Sequence, residues 1–223
     1  MKTPKIIHAI RWNPKSNNRD DKIFRKLEKL LIFRTYGWIC NSKSAKDTLV
    51  TSCTIPKEKI ISIYNGIDIK EKIINDNRNT KKVVLTLSNF APRKGIIEYL
   101  NIIEKVIIIN QKVTFILAGR DDMNGIVQKI IKEKKLEKFV QTPGFIHNTN
   151  AILKKADLVV LPSLLPEGCP TSILEAMSFG KPVIGYNING LNELVINNET
   201  GLLVPLNNQE AMASSILELL RSS

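Results

Sequence analysis

Cysteine is scarce in this chain. Cys40, Cys53 and Cys169 are odd in number and lack CxxC spacing, which suggests neither a disulfide framework nor a zinc site and fits a reducing cytoplasm. Only two histidines are present, His8 and His147, and no GxSxG, so metal clusters and hydrolytic triads have no support. There is no GxG and no GxxxxGK[ST], which removes the dinucleotide fingerprint and the P-loop. No DxD pair stands ready to hold a metal against a diphosphate, and no metal ligands are assigned. Aromatics are 6% of the residues and do not interleave with the basic ones, so a nucleic-acid partner is not expected. No apolar run approaches the roughly 18–20 residues that a membrane span needs. The opening MKTPKIIHAIRW has too short an apolar core for a signal peptide.

The chain does have enough length and apolar content to bury a core, with 223 residues, 43% of them hydrophobic and 24% charged. Its net charge of +12 is uneven: residues 1–60 carry +9, residues 61–156 +8 and residues 157–223 −5. A basic front half suits an anionic partner such as a membrane surface or a phosphorylated lipid. The Lys/Ile/Asn-rich composition offers a second explanation, base composition of the gene.

After residue 80, short apolar strands alternate with helical stretches, which is the signature of βα units and a parallel sheet. Strands are expected at 83–88, 113–118, 139–142, 158–162, 182–186 and 201–204. Helices are expected at 96–109, 125–134, 148–155, 172–179, 191–196 and 209–220. The strands read as continuous apolar runs, as they do when helices cover both faces. Phe179-Gly180-Lys181-Pro182 is a helix stop. The front repeats the pattern on a smaller scale, with strands at 6–10, 38–41 and 60–64 and helices at about 21–33 and 44–51. Asn65-Gly66-Ile67-Asp68 reads as a turn into a polar linker. The helix at 21–33 is basic and amphipathic, and suits either a membrane surface or docking on its own sheet. The expected organisation is a partial first domain over 1–68, a linker over 69–82 and a second domain over 83–223.

The chemistry concentrates in PEGCPTSILEAMSFGKPVIGYNING, residues 166–190. Glu167 lies just outside a helix and Glu175 early within it, at the carboxyl end of a parallel sheet, where open α/β proteins bind ligands. Gly168, Cys169, Pro170 and Thr171 lead into the helix N-terminus, with its free N–H groups and partial positive charge. Arg93, Lys94 and Gly95 follow the first strand of the second domain. An anionic ligand there would meet side-chain cations and backbone N–H groups. Blander readings stand beside these. Arg93-Lys94 suits an exposed turn, and Ser172-Ile173-Leu174-Glu175 matches a capping box. A lone histidine such as His8 is commonly structural.

The order YNGID, LSNFAPRKG, FILAG, ADLVVLPS, EGCPTSILEAMSFGKPVI, GLNELV and TGLLVP resembles the donor-binding half of retaining glycosyltransferases of family 4, which have the GT-B fold. NSKSAKDTL and EKIISIYNGID resemble the end of that family's acceptor-side domain. The resemblance implies an α/β fold of GT-B type, a Rossmann-like parallel sheet with helices on both faces, preceded by a partial second Rossmann-like domain. It implies a cytoplasmic enzyme, at or near the inner face of the membrane. The enzyme would move a sugar from a UDP- or GDP-sugar to a glycan or lipid-linked acceptor in surface polysaccharide synthesis, with no further cofactor. Lys94 and Arg93 would neutralise the diphosphate, Glu175 would bind the ribose, and Glu167 would hold the transferred sugar. Gly95, Gly119 and the Gly168–Thr171 backbone would line the donor, Phe145-Ile146 would lie near the base, and His8 would stand beside the sugar. Asn89 occupies a position where that family commonly has arginine. No counterpart of the family's N-terminal glycine-rich loop is seen, so most of the acceptor-side domain is expected to be lacking. Two other functions fit parts of the pattern: a nucleotide-sugar binding module without turnover, and a GT-B sugar epimerase.

Overall fold

The structure, a computed structural model, describes residues 5–11, 19–69 and 81–222. Most of the expected linker, residues 70–80, lies outside the described residues. The chain forms two compact units. The first comprises residues 1–66 with 165–170 and 188–194, and the second 67–164, 171–187 and 195–223.

The first unit is a three-stranded parallel sheet in the order β1 (Ile6–Ile10), β2 (Thr35–Cys40) and β3 (Ile60–Ser62). Helices α1 (Arg19–Leu31) and α2 (Lys43–Cys53) make its crossovers. Ser42 caps α2 by accepting a hydrogen bond from the Ala45 N–H at 3.1 Å, the usual role of serine before a helix. Pairing sets His8, Trp38 and Ile60 in one row across the sheet and Ala9, Ile39 and Ile61 in the next. Trp38 and Ile60 are buried in a core with Ala45, Leu49 and Cys53 of α2. Successive side chains alternate faces, so the second row points the other way. There Ala9 and Ile61 are exposed, Ile61 by 60%. On α1, Ile23, Leu27 and Leu30 are exposed at helical spacing.

Strand β2 begins three residues before its expected start. Gly37 reads locally as a loop residue, but pairing of Ile6 and Ile7 with Thr35 and Gly37 extends the ladder across it. After β3 the chain runs irregularly over 63–69, without the turn expected at Asn65-Gly66.

The second unit is an all-parallel sheet of six strands in the order β6-β5-β4-β7-β8-β9. These are β4 (Lys82–Leu87), β5 (Val113–Ala118), β6 (Val140–Gly144), β7 (Leu158–Leu161), β8 (Val183–Tyr186) and β9 (Gly201–Val204). Helices α3 (Ile96–Ile109), α4 (Ile126–Glu133), α5 (Asn150–Lys155), α6 (Thr171–Ser178) and α7 (Gln209–Ser222) alternate with them. Every residue of β7 and β8 is buried, as in strands covered on both faces. Leu85, Phe115, Leu117, Ile103, Val106 and Ile216 are fully buried in this unit. The expected helix at 191–196 does not form. Isolated turns replace it, and the Glu193 carboxylate is engaged elsewhere. No helix among the described residues is long and apolar enough to cross a membrane.

The exposed row and short edge strands of the first unit should make it the less protected one. Amides of β1–β3 are expected to exchange with solvent about tenfold faster than those of β4, β5 and β7. Hydrogen exchange read by mass spectrometry checks this, and equal protection would contradict it.

Candidate functional site

In the second unit, β5 and β6 continue from β4 in one direction while β8 and β9 continue from β7 in the other. The strand order therefore reverses between β4 and β7, and ligands of such sheets bind at the carboxyl ends beside that point. The loop after β4 ends in a 3-10 turn, Pro92–Lys94, and Gly95, from which α3 begins. Gly95 has a φ of +65°, and a methyl group on it would stand 2.2 Å from the Pro162 carbonyl oxygen, so only glycine fits there. The Leu164 N–H donates to the Arg93 carbonyl at 3.0 Å, tying the loop after β4 to the loop after β7. Arg93 is exposed and Lys94 half-buried at this junction.

The other expected residues of this unit stand at the same edge. Gly119 directly follows β5, with its N–H donating to the Gly144 carbonyl at 2.9 Å. Phe145 directly follows β6, is 62% exposed, and meets the His147 ring edge-on at 4.9 Å, with Ile146 half-buried between them. Asn89 Oδ1 accepts from the Arg120 N–H at 3.3 Å. Thr171 opens α6, so Ser172 lies inside the helix and the capping box does not form. The Glu175 carboxylate instead accepts from the Thr149 hydroxyl at 2.9 Å. Thr149 immediately precedes α5 yet makes no side-chain cap to it.

In the first unit, Glu167 is 7% exposed and its N–H donates to the Asn189 carbonyl at 2.9 Å. Gly168 packs against Asn41, whose Nδ2 donates to the Arg11 carbonyl at 3.1 Å. Cys169 is buried, which pushes its thiol pKa up, and its carbonyl accepts from Asn65 Nδ2 at 2.8 Å. Pro170 is half-buried beside it. His8 lies in the middle of β1. Its Nδ1 is 3.1 Å from both oxygens of the buried Glu28 carboxylate, and its ring meets Trp38 edge-on at 5.8 Å. From the end of β1, the group that approaches Gly168 is the Arg11 carbonyl.

Sequence reasoning missed Thr149, Asn41, Asn65 and Glu193, whose contacts are tertiary. Asn41 in NSKSAKDTL, Asn65 in YNGID and Glu193 in GLNELV lie inside motifs that the sequence offered, whereas Thr149 carried no signal. The Glu193 carboxylate accepts from the Lys43 N–H at 2.6 Å, the Ser44 N–H at 2.8 Å and the Tyr64 hydroxyl at 2.8 Å. Burial alone would raise its pKa, but the Ser44 hydroxyl, these two N–H groups and Tyr64 together outweigh that and hold it below the usual carboxylate value. The Tyr64 phenol is pushed up to about 12, by burial first and by Glu193 second. Among the described residues, no group of three or more His, Cys, Asp or Glu is placed to hold a metal ion.

The fold is that of an α/β protein with two parallel sheets, and comparison narrows the class. The chain matches the description "Glycosyl transferases group 1" over residues 68–223 and "Glycosyltransferase Family 4" over residues 6–71. It belongs to the glycosyl transferases group 1 family. It is 28% identical over 228 residues to the Escherichia coli UDP-Gal:alpha-D-GlcNAc-diphosphoundecaprenol alpha-1,3-galactosyltransferase, covering 96% of this chain and 58% of that protein. A Staphylococcus aureus TarM mutant in complex with Fondaparinux, alpha-GlcNAc-glycerol and UDP superposes with a TM-score of 0.86 at 24% identity, over 97% of this chain and 44% of that one. Anabaena HepE in complex with UDP and glucose superposes with a TM-score of 0.86 at 22% identity, over 97% of this chain and 62% of that one. The fold is that of GT-B glycosyltransferases. The chain spans about half the length of the curated relatives it matches.

The lowered pKa of Glu193 has a stability consequence. A carboxyl depressed in the folded state contributes stability that is complete above its unfolded value and is lost as pH falls through the folded value. Glu193→Gln removes this component, so its denaturation midpoint should fall less than the wild type's between about pH 6 and pH 3. Parallel curves for the two proteins would refute the assignment.

Proposed function

We propose that the chain is the donor-binding part of a retaining glycosyltransferase. It moves a sugar from a nucleotide sugar to a glycan or lipid-linked acceptor in surface polysaccharide synthesis. The observation that carries this reading is the Arg93-Lys94 turn at the point where the strand order reverses, tied by its backbone to the loop after β7. The difficult part of such a reaction is the charge that develops on the departing diphosphate and on the oxocarbenium-like sugar. Fixed cations and backbone dipoles stabilise both without rearranging.

In this reading Lys94 and Arg93 meet the diphosphate and Glu175, held by Thr149, accepts from the ribose hydroxyls. Glu167 accepts from hydroxyls of the transferred sugar. Gly95, Gly119 and the backbone of Gly168–Thr171 line the donor, and Phe145-Ile146 flank the base. UDP in the TarM and HepE complexes and UDP-Gal in the name of the E. coli relative support a uridine donor. Ile23, Leu27 and Leu30, exposed on α1 beside exposed Lys22, Lys26 and Lys29, support contact with an anionic membrane, although Asp20 opposes it at the first turn.

Calorimetric titration with UDP-, GDP- and ADP-glucose tests the donor assignment. Selective binding that disappears in Glu175→Ala is expected, and no binding to any of them would overturn it. Lys94→Ala should lower sugar transfer by about a hundredfold or more, as loss of one preorganised charge contact does. Near-normal turnover would remove Lys94 from the mechanism, and donor binding without transfer to any acceptor would make the chain a binding module. Cosedimentation with phosphatidylglycerol vesicles should be lost when Lys22, Lys26 and Lys29 are replaced by Glu. Unchanged sedimentation would exclude α1 as the contact.

A further inference from the structure

Two short segments of the first unit, 165–170 and 188–194, meet backbone to backbone. Asn189 accepts the Glu167 N–H. Gly190 has a φ of +87°, and a methyl group on it would stand 2.2 Å from the Glu167 carbonyl oxygen and 2.4 Å from that of Gly168. The course of the chain at Glu167-Gly168 is therefore set against residues 189–190.

Segment 188–194 is itself held through one side chain. The Glu193 carboxylate takes the N–H groups of Lys43 and Ser44, the first two of α2, which have no partner within the helix. The helix dipole favours an anion there. Tyr64 adds its hydroxyl, and the next residue, Asn65, holds segment 165–170 by donating to the Cys169 carbonyl. Two consecutive residues after β3 thus anchor both segments. Ser42 caps α2 separately, through the Ala45 N–H.

We infer that Glu193 is a positioning residue for donor binding, fixing segment 188–194 on α2 and Tyr64 and through it the placement of Glu167 and Gly168. The inference rests on the proposed role of Glu167 toward the transferred sugar. Glu193 would touch no substrate itself.

The test compares the wild type with Glu193→Ala, Glu193→Gln and Tyr64→Phe in two measurements. The first is hydrogen exchange across 165–170 without ligand. The second is calorimetric binding of UDP-glucose and of UDP alone. In Glu193→Ala, exchange at 165–170 should rise and UDP-glucose affinity should fall by about tenfold, while UDP affinity changes little, because Glu167 serves the sugar. Glu193→Gln, which keeps one acceptor oxygen, should recover part of the loss. Tyr64→Phe should show a milder shift in the same direction, and it keeps the test decisive if the alanine variant fails to fold. Faster exchange confined to α2 would reduce Glu193 to a helix cap and overturn the inference. Faster exchange at 165–170 with unchanged UDP-glucose affinity would equally overturn it, and would also remove Glu167 from sugar binding. A wild type that binds neither ligand would defeat the donor reading, and with it the link to donor binding.

Discussion

The hydrogen bond from the Leu164 N–H to the Arg93 carbonyl joins the two loops that the strand order would otherwise send apart. Chains leaving β4 and β7 head into opposite halves of the sheet, the point beside which ligands of such sheets bind. One backbone bond contributes only about 0.5–1.5 kcal/mol. Its weight here is geometric. It sits beside Gly95, whose missing side chain lets the turn that bears Arg93 and Lys94 close onto the Pro162 carbonyl. A fixed cation stabilises a developing anion better than a mobile one, because it need not reorganise when the charge appears.

The two glutamates of the Glu-to-Glu block are handled differently. Glu175 is restrained through its carboxylate, by a threonine hydroxyl from the preceding loop. Glu167 is restrained through its backbone, by Asn189 and the close approach of Gly190. A hydroxyl that donates to a carboxylate leaves the acid's remaining lone pairs available to a ligand.

The second unit was legible because its signals were local. The apolar runs of β5 and β9 and the span of α3 fall at their expected residues, and eight more strands and helices differ only at their ends. The first unit was legible in its element types and in the span of β1, but not in the bounds of its other elements. Gly37 looks like an interruption until β1 pairs across it. The one false helix, at 191–196, had suitable composition over too few residues, and Glu193 within it bonds to amides about 150 positions earlier. Sequence periodicity holds no trace of such a contact. The same applies to Thr149, whose position before α5 reads as a cap although its hydroxyl serves Glu175. At His8 the tertiary partners, Glu28 and Trp38, were likewise outside what local sequence could show.

The row Ala9, Ile39 and Ile61 sets how the molecule behaves as a colloid. A flat strip of methyl groups on a twisted sheet adsorbs to chaperones, resins and air–water interfaces as readily as to a biological partner. Its basic surroundings add attraction for anything polyanionic, including nucleic acid carried through from a cell extract. Exposed aliphatic side chains such as Ile61, remote in sequence from the Arg93-Lys94 turn, thus bear on how the protein is handled in pure form.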